Sequence, residues 1–438
     1  MGDDMKRNML LAGFCLLCIA AGIISGCVTS PGGAPVTPTP DRTTVPVPTE
    51  NVQPSLAEHS VVDANNRFAL DAYAQLRKES GTANVFFSPF SISSALAITY
   101  EGARGATADE IRSVFHFPTD DAARRQGFQA LYGGINRGNA RYTLKTANAL
   151  WAEQTYAFLP DYMRTAEEYY GANATNLDFR NQPEPSRITI NRWVEDQTND
   201  RIRDLIPQGI ITTLTRLVIT NAVYFKGTWV KQYDKNDTRE DTFAVAPGNT
   251  VPIQMMERTD EDAIFNYTET GRLQVLEMPY AKDGGKQLSM LVLLPKANDL
   301  AAVEDSLTVQ QLSELRNRLR SQRVKVFFPR FTLETKYSLS PVLATMGMPT
   351  AFTFHADLSG MDGTQNLYVR EVVHQAFVDV NEEGTEAAAA TAVVIELKSM
   401  QIDEQVPVFR ADHPFLFLIQ DNDTGNILFL GRVMNPVG

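Results

Sequence analysis

Val380-Asn381-Glu382-Glu383-Gly384-Thr385-Glu386-Ala387-Ala388-Ala389-Ala390-Thr391-Ala392 is the stretch on which the reading of the whole chain turns. It begins as the end of a strand pattern, reaches a glycine, and carries no large side chain until Val393. Glycine adopts backbone angles that other residues avoid, so a hinge at Gly384 costs little. Beyond it Thr385, Ala387, Ala389, Thr391, Val393 and Ile395 are all small or apolar, while the other parity carries Glu386, Glu396 and Lys398. A period of two buries one face of a strand and wets the other. Alanine is nevertheless the best helix former and a poor strand former. Composition alone therefore leaves two readings: an alanine-rich surface helix, or a loop slim enough to slip between two strands.

The context favours the loop. Downstream stand Phe409-Arg410-Ala411-Asp412-His413-Pro414-Phe415-Leu416-Phe417-Leu418-Ile419 and Gly431-Arg432-Val433-Met434-Asn435-Pro436. With the Glu-Glu-Gly-Thr-Glu hinge and its alanine run, these motifs resemble the serpins, a family of serine-protease inhibitors, over residues 56–438, in the manner of a prokaryotic surface lipoprotein member. The resemblance implies a reactive-centre loop over about 382–405, hinged through Glu382, Glu383, Gly384, Thr385, Glu386, Ala387, Ala388, Ala389 and Ala390.

The chain has 438 residues, 43% hydrophobic and 21% charged, enough to bury a core in one large domain or two ordinary ones. Its formal charge of −12 disfavours nucleic acid and anionic membrane surfaces as partners. Residues 1–27 read as an export signal, with Lys6 and Arg7 ahead of an apolar run from Met9 to Ile24. The run ends in Ile24-Ser25-Gly26-Cys27, which resembles a lipoprotein cleavage box with Cys27 lipidated; the other reading is an uncleaved anchor helix. Either attaches an exported, surface or extracellular protein to the membrane through its N-terminus alone. Cys15, Cys18 and Cys27 all fall in this leader, so no disulfide is expected in the exported domain. Residues 28–55, rich in Pro and Thr, read as an extended tether.

In the body, Ser60–Glu79 has helical spacing, and Asn84–Phe87 reads as a short strand feeding a helix that starts near Pro89 and Ser91. Leu144–Trp151 alternates as a strand, a helix is expected near Asp161–Tyr170, and Ile188–Ile206 is amphipathic. Leu217–Trp229 reads as a fully buried strand, in which Asn221 must find partners. Gln274–Pro279, Leu288–Pro295, Val324–Phe328, Phe331–Glu334 and Val369–Val380 read as further strands, with helices over Val309–Arg320 and Leu339–Met346. Helices and strands mix without βαβ regularity, which predicts an α+β fold. The resemblance specifies this as the serpin fold, with a large, mostly antiparallel central sheet, further sheets and a helical half. It also implies a shutter of Ser88, Ser91, Asn221 and His374, and a breach of Trp229, Arg330 and Glu382 with an Arg330–Glu382 pair at the loop's base.

Enzyme signals are missing from the sequence. There is no Gly-x-Ser-x-Gly, no His-Glu-x-x-His, no P-loop and no dinucleotide glycine pattern. The five histidines show no metal-ligand spacing, so neither a metal nor a cofactor is expected. The resemblance implies instead a monomeric suicide substrate for a serine protease, held as a covalent acyl-enzyme. The family's interval from Glu382 puts the cleaved bond at Lys398–Ser399, which implies a trypsin-like target. Leu397 or Met400 as specificity residue would redirect it to chymotrypsin- or elastase-like enzymes. The competing readings are an inhibitor of cysteine proteases and a non-inhibitory surface binding protein whose loop is cut without trapping.

Overall fold

The structure is a computed structural model and describes residues 54–135, 141–385 and 406–438. Ser55 accepts from the Glu58 amide while the Glu58 carboxylate accepts from the Ser55 amide, a reciprocal cap that starts α1 (Leu56–Ser80). The short strand β1 (Val85–Phe87) leads into α2 (Pro89–Gly102), where Pro89 has no N–H to leave unpaired in the first turn. Then come α3 (Gly105–Phe115) and α4 (Asp121–Ile135). The sequence reading leaves α4 unassigned, because Gly127, Gly133 and Gly134 dilute its helical signal. Tertiary packing supplies what propensity lacks: Phe128 stacks on Phe90 and meets Phe117 and Tyr170. Gly127 is also needed, since a Cβ there would lie 2.5 Å from the Ala57 carbonyl oxygen of α1.

The chain continues through β2 (Tyr142–Glu153), α5 (Pro160–Tyr170), β3 (Asn173–Leu177), α6 (Pro183–Gln197) and β4 (Leu217–Thr228). Helix α6 ends earlier than the pattern over 188–206 predicts, because Asn199, Asp200 and Asp204 take positive φ. Ile202, Leu205 and Ile206 still bury with Ile190 and Val194, against Trp151, Val218, Ala222 and Val373 of the sheet. The apolar spacing was thus real but is shared between a helix and an irregular return.

The second half is richer in strands: β5 (Arg239–Ala246), β6 (Asn249–Arg258), β7 (Ile264–Glu269), β8 (Leu273–Pro279) and β9 (Leu288–Pro295). After α7 (Leu300–Ser306) and α8 (Val309–Arg318) follow β10 (Arg320–Arg323), β11 (Lys325–Pro329) and β12 (Phe331–Ser338). The helix expected as far as Arg320 stops at Arg318, where Leu319 turns to extended angles and opens the edge strand β10. The last elements are α9 (Leu339–Met346), α10 (Ser359–Asp362), β13 (Val372–Val380), β14 (Gly384–Thr385), β15 (Val408–Arg410), β16 (Phe415–Asp421) and β17 (Ile427–Val433).

These strands form three sheets, in the orders β12-β13-β14-β4-β2-β3, β15-β11-β6-β5 and β1-β17-β16-β9-β8-β7-β10. Antiparallel pairing dominates; β13–β4, β2–β3 and β11–β15 are parallel. Apart from the apolar layer under α6, the main core runs from Phe68 and Phe115 in the helical half to Phe225, Phe417 and Phe429 behind the sheets. The fold is α+β with a large, mostly antiparallel central sheet.

Candidate functional site

The central sheet has an unusual seam. Over Val372–Phe377, β13 pairs in parallel with β4, with His374 opposite Asn221. Past Phe377 the two strands part, and the chain leaving β13 turns at Asn381–Glu383 and re-enters between them as β14. Thr385 stands opposite Val380 on one side and Gly227 on the other, antiparallel to both. Thr385 is completely buried, and its hydroxyl shares a 2.8 Å hydrogen bond with that of Tyr280.

The turn is held from several sides. Trp229 Nε1 donates to the Asn381 carbonyl at 3.0 Å and the Trp229 amide donates to that of Glu383 at 2.9 Å. The indole stacks on Tyr280 with centroids 4.5 Å apart. The Tyr233 amide donates to the Glu382 carbonyl at 2.9 Å. The Glu382 carboxylate is 1% exposed; Oε1 accepts from the Thr238 hydroxyl at 2.6 Å, and Oε2 lies 2.8 Å from Arg330 Nη2, off the axis of a good hydrogen bond. Glu383, one residue on, pairs with Lys235 at the surface. The structure therefore brings Trp229, Arg330 and Glu382 into one cluster, and adds Tyr280, Thr238 and Lys235.

Where β13 and β4 are still paired, the second cluster lies beneath them. The Ser88 amide donates to His374 Nε2 at 3.0 Å, so that nitrogen bears a lone pair and the proton sits on Nδ1. Nδ1 in turn donates to Asn221 Oδ1 at 2.6 Å. Full burial pushes the imidazole pKa down to about 3, which keeps the ring neutral. The Asn221 amide spends its two hydrogens on Ser91 Oγ and on Asn148 Oδ1, the latter at 2.6 Å. Ser88 Oγ donates to the Leu428 carbonyl at 2.6 Å and also accepts from the Ser91 amide at 3.3 Å, capping α2. Ser88, Ser91, Asn221 and His374 are thus joined in one buried network. Its fifth member, Asn148, reaches it because β2 pairs with β4 in the register Asn148–Asn221. The Asn148 Nδ2 group is buried without a partner.

Between β13 and β4 the site forms a seam whose mouth is occupied by Gly384 and Thr385. Among the described residues no group of three or more His, Cys, Asp or Glu could hold a metal, and no helix is long and apolar enough to cross a membrane. Cys27, Glu386, Ala387, Ala388, Ala389, Ala390, Lys398 and Ser399 lie outside the described residues.

Residues 63–436 match the family model "Serpin (serine protease inhibitor)". The chain belongs to the serpin family. It is similar to an uncharacterized serpin-like protein of Thermococcus kodakarensis, 41% identical over 440 residues and covering 99% of each chain. The leukocyte elastase inhibitor of Bos taurus is 42% identical over 380 residues, 85% of this serpin and 98% of the relative. Among solved structures, human thyroxine-binding globulin complexed with thyroxine superposes with a TM-score of 0.78 at 29% identity, covering 87% of this serpin and all of that chain. Serpins generally inhibit proteases rather than catalyse a reaction. A thyroxine-binding globulin with the same architecture means that fold alone does not assign inhibition to a serpin.

Proposed function

We propose that this serpin is a protease inhibitor that acts as a suicide substrate, cut at Lys398–Ser399. The protease serine attacks the Lys398 carbonyl, the Ser399 amine leaves, and the acyl-enzyme stays attached to the hinge side of the loop. The freed segment then enters the central sheet as a further strand between β13 and β4, carrying the protease with it. The 15 residues from Gly384 to Lys398 would span about 50 Å as a strand. The native fold holds the loop out kinetically, and insertion releases that stored free energy.

The observation that carries this reading is the position of Gly384 and Thr385. Two residues of the hinge already pair with both strands that insertion would separate. Thr385 and four consecutive alanines follow the glycine, and such slim residues fit between closely spaced strands. Lysine at 398 supports a trypsin-like target. The 42% identity to a leukocyte elastase inhibitor supports a second reading, cleavage after Leu397 or Met400 by an elastase- or chymotrypsin-like enzyme. The leader supports an exported protein anchored at the cell surface through lipidated Cys27.

Mixing the protein with trypsin, and separately with leukocyte elastase, then running a denaturing gel with mass spectrometry of the released peptide, tests the reading. A denaturation-resistant complex with trypsin and a peptide starting at Ser399 is the expected result. A resistant complex with elastase alone moves the bond, and cleavage without any complex removes the inhibitory assignment.

A further inference from the structure

The chain that follows the loop is fastened by a histidine whose two ring nitrogens both face acceptors. Strand β15 attaches to β11 by three residue pairs, with flanking bonds from Lys325 N to Pro407 O at 2.9 Å and from Ala411 N to Phe327 O at 3.0 Å. Residues 411–414 then cross to β16 in the neighbouring sheet. In that crossing His413 Nδ1 lies 2.8 Å from Asp412 Oδ1, and Nε2 lies 2.6 Å from the Pro295 carbonyl at the end of β9. A carboxylate and a carbonyl can only accept, so both nitrogens must carry hydrogen, and only the imidazolium does that.

The contact extends back to β15. The other Asp412 oxygen accepts from Arg410 Nε at 3.1 Å, and the Arg410 guanidinium also pairs with Asp241 of β5 while lying 4.8 Å above the Phe327 ring. The Asp412 carbonyl accepts from the Ala244 amide of β5 at 2.8 Å. On the remaining side a cleft of about 310 Å³, lined by Thr242, Ala244, Thr250, Lys296 and Asn298, opens onto His413. Lys296 is the charged group there, and Glu269 of β7 answers it at 2.8 Å.

We propose that His413 is a protonation-controlled pin that fastens β15, the anchor of the loop's far end, to the sheet beside it. When the ring loses its proton, either Asp412 or the Pro295 carbonyl faces a lone pair instead of a donor. Asp412 and Arg410 then lose their tie to the end of β9, and β15 is held by its own contacts alone. These are the pairs with β11, Arg410 on Asp241 and Phe327, and Gln274 Nε2 donating to the Val408 carbonyl at 2.8 Å. Burial opposes the imidazolium, but the bonds to Asp412 and to the Pro295 carbonyl outweigh it and hold its pKa above the ordinary histidine value. The pin is therefore fully set below about pH 6.5 and is lost as pH rises through the raised value.

The test needs no protease and is independent of the function proposed above. Amide hydrogen exchange of the full chain, read by mass spectrometry between pH 5.5 and 8.5 and corrected for intrinsic rates, should show the β15 peptide opening more readily as pH rises. One proton sets a limit of about tenfold per pH unit. The β16 peptide should not move. His413→Gln should open readily at every pH with a flat profile; His413→Arg should stay protected and also be flat. A flat wild-type profile, or the wild-type slope surviving in either variant, overturns the proposal. Should the Gln variant fail to fold, the Arg variant alone decides.

Discussion

Gly384 in the hinge and Gly227 in β4 cross so closely that a Cβ on Gly384 would stand 2.0 Å from the Gly227 carbonyl oxygen and 2.8 Å from Thr228 Cα. Its φ of 156° is also one that residues with side chains rarely adopt. Replacing Gly384 by valine must therefore push β14 out of the seam or push β4 aside. Overpacking of this kind costs about 1–3 kcal/mol. Denaturant unfolding should show that loss, with slower formation of any protease complex; unchanged stability would mean that the close crossing is not needed.

Thr385 fills a completely buried place against the Tyr280 hydroxyl. An arginine there would have to bury an unpaired guanidinium between two strands, which is strongly unfavourable. Thr385→Arg should therefore be cut by the target protease at the wild-type rate yet yield cleaved product in place of complex. Counting moles of inhibitor consumed per mole of protease checks this, and a ratio near one for the variant rules out insertion as the trapping step.

The two acidic residues of the turn should differ in weight. Glu382 is buried between Thr238 and Arg330, whereas the Lys235 that meets Glu383 has a side chain 59% exposed. Glu382→Ala removes a buried acceptor, an effect of about 1–3 kcal/mol. Lys235→Ala removes a surface pair worth about 1 kcal/mol or less. On warming, Glu382→Ala should convert to inserted or polymeric forms several-fold faster than wild type, with Lys235→Ala close to wild type. Equal rates in all three would deny Glu382 a latching role.

His374 makes the fold acid-sensitive with a definite sign. Its folded pKa, near 3, lies below the unfolded value of about 6.5, so the stability it provides is present above pH 6.5 and is lost as pH falls. Going from pH 6.5 to 4.5 should remove about 2–3 kcal/mol through this group alone. A His374→Gln variant should be less stable at pH 7 but lack that part of the slope. Urea titrations at several pH values measure both.

Asn148 accepts from Asn221 and, at 3.4 Å, from the Ser91 hydroxyl. Asn148→Ala would leave the Asn221 hydrogen without an acceptor in a dry site, costing about 1–3 kcal/mol. Calorimetry should show a lower melting temperature, and a neutral effect would mean that water takes the place of the amide.

Much of this was legible in the residues. The apolar run around Asn221 announces a buried strand with one unusual member, and the family motifs supply the pairing of Glu382 with Arg330, whereas the small-residue parity beyond Thr385 lies outside the described residues. Asn148 was hidden because Leu144–Trp151 reads as ordinary alternation, and only the register of β2 on β4 shows where its amide ends up. Tyr280 sits 105 residues from Thr385, with no local pattern linking them. Strands β5, β6 and β7 escaped notice because their exposed polar positions blur the alternation. The return after α6 defeated a helix reading because three residues with positive φ leave the apolar spacing intact while ending the helix.

The seam has one further consequence, which is arithmetical. Thr385 faces Val380 on β13 and Gly227 on β4, while β13 and β4 themselves are aligned with His374 beside Asn221. Continue a strand from Thr385 in step with either neighbour and the count agrees: residue 391 falls beside His374 by one reckoning and beside Asn221 by the other. Thr391 would thus arrive where the imidazole–amide bond now stands, and Val393 beside Val372 and Ile219, the last of the parallel pairs. Two independent registers that coincide make the sheet a vernier: two residues set at its opening already give the address of each one that would follow.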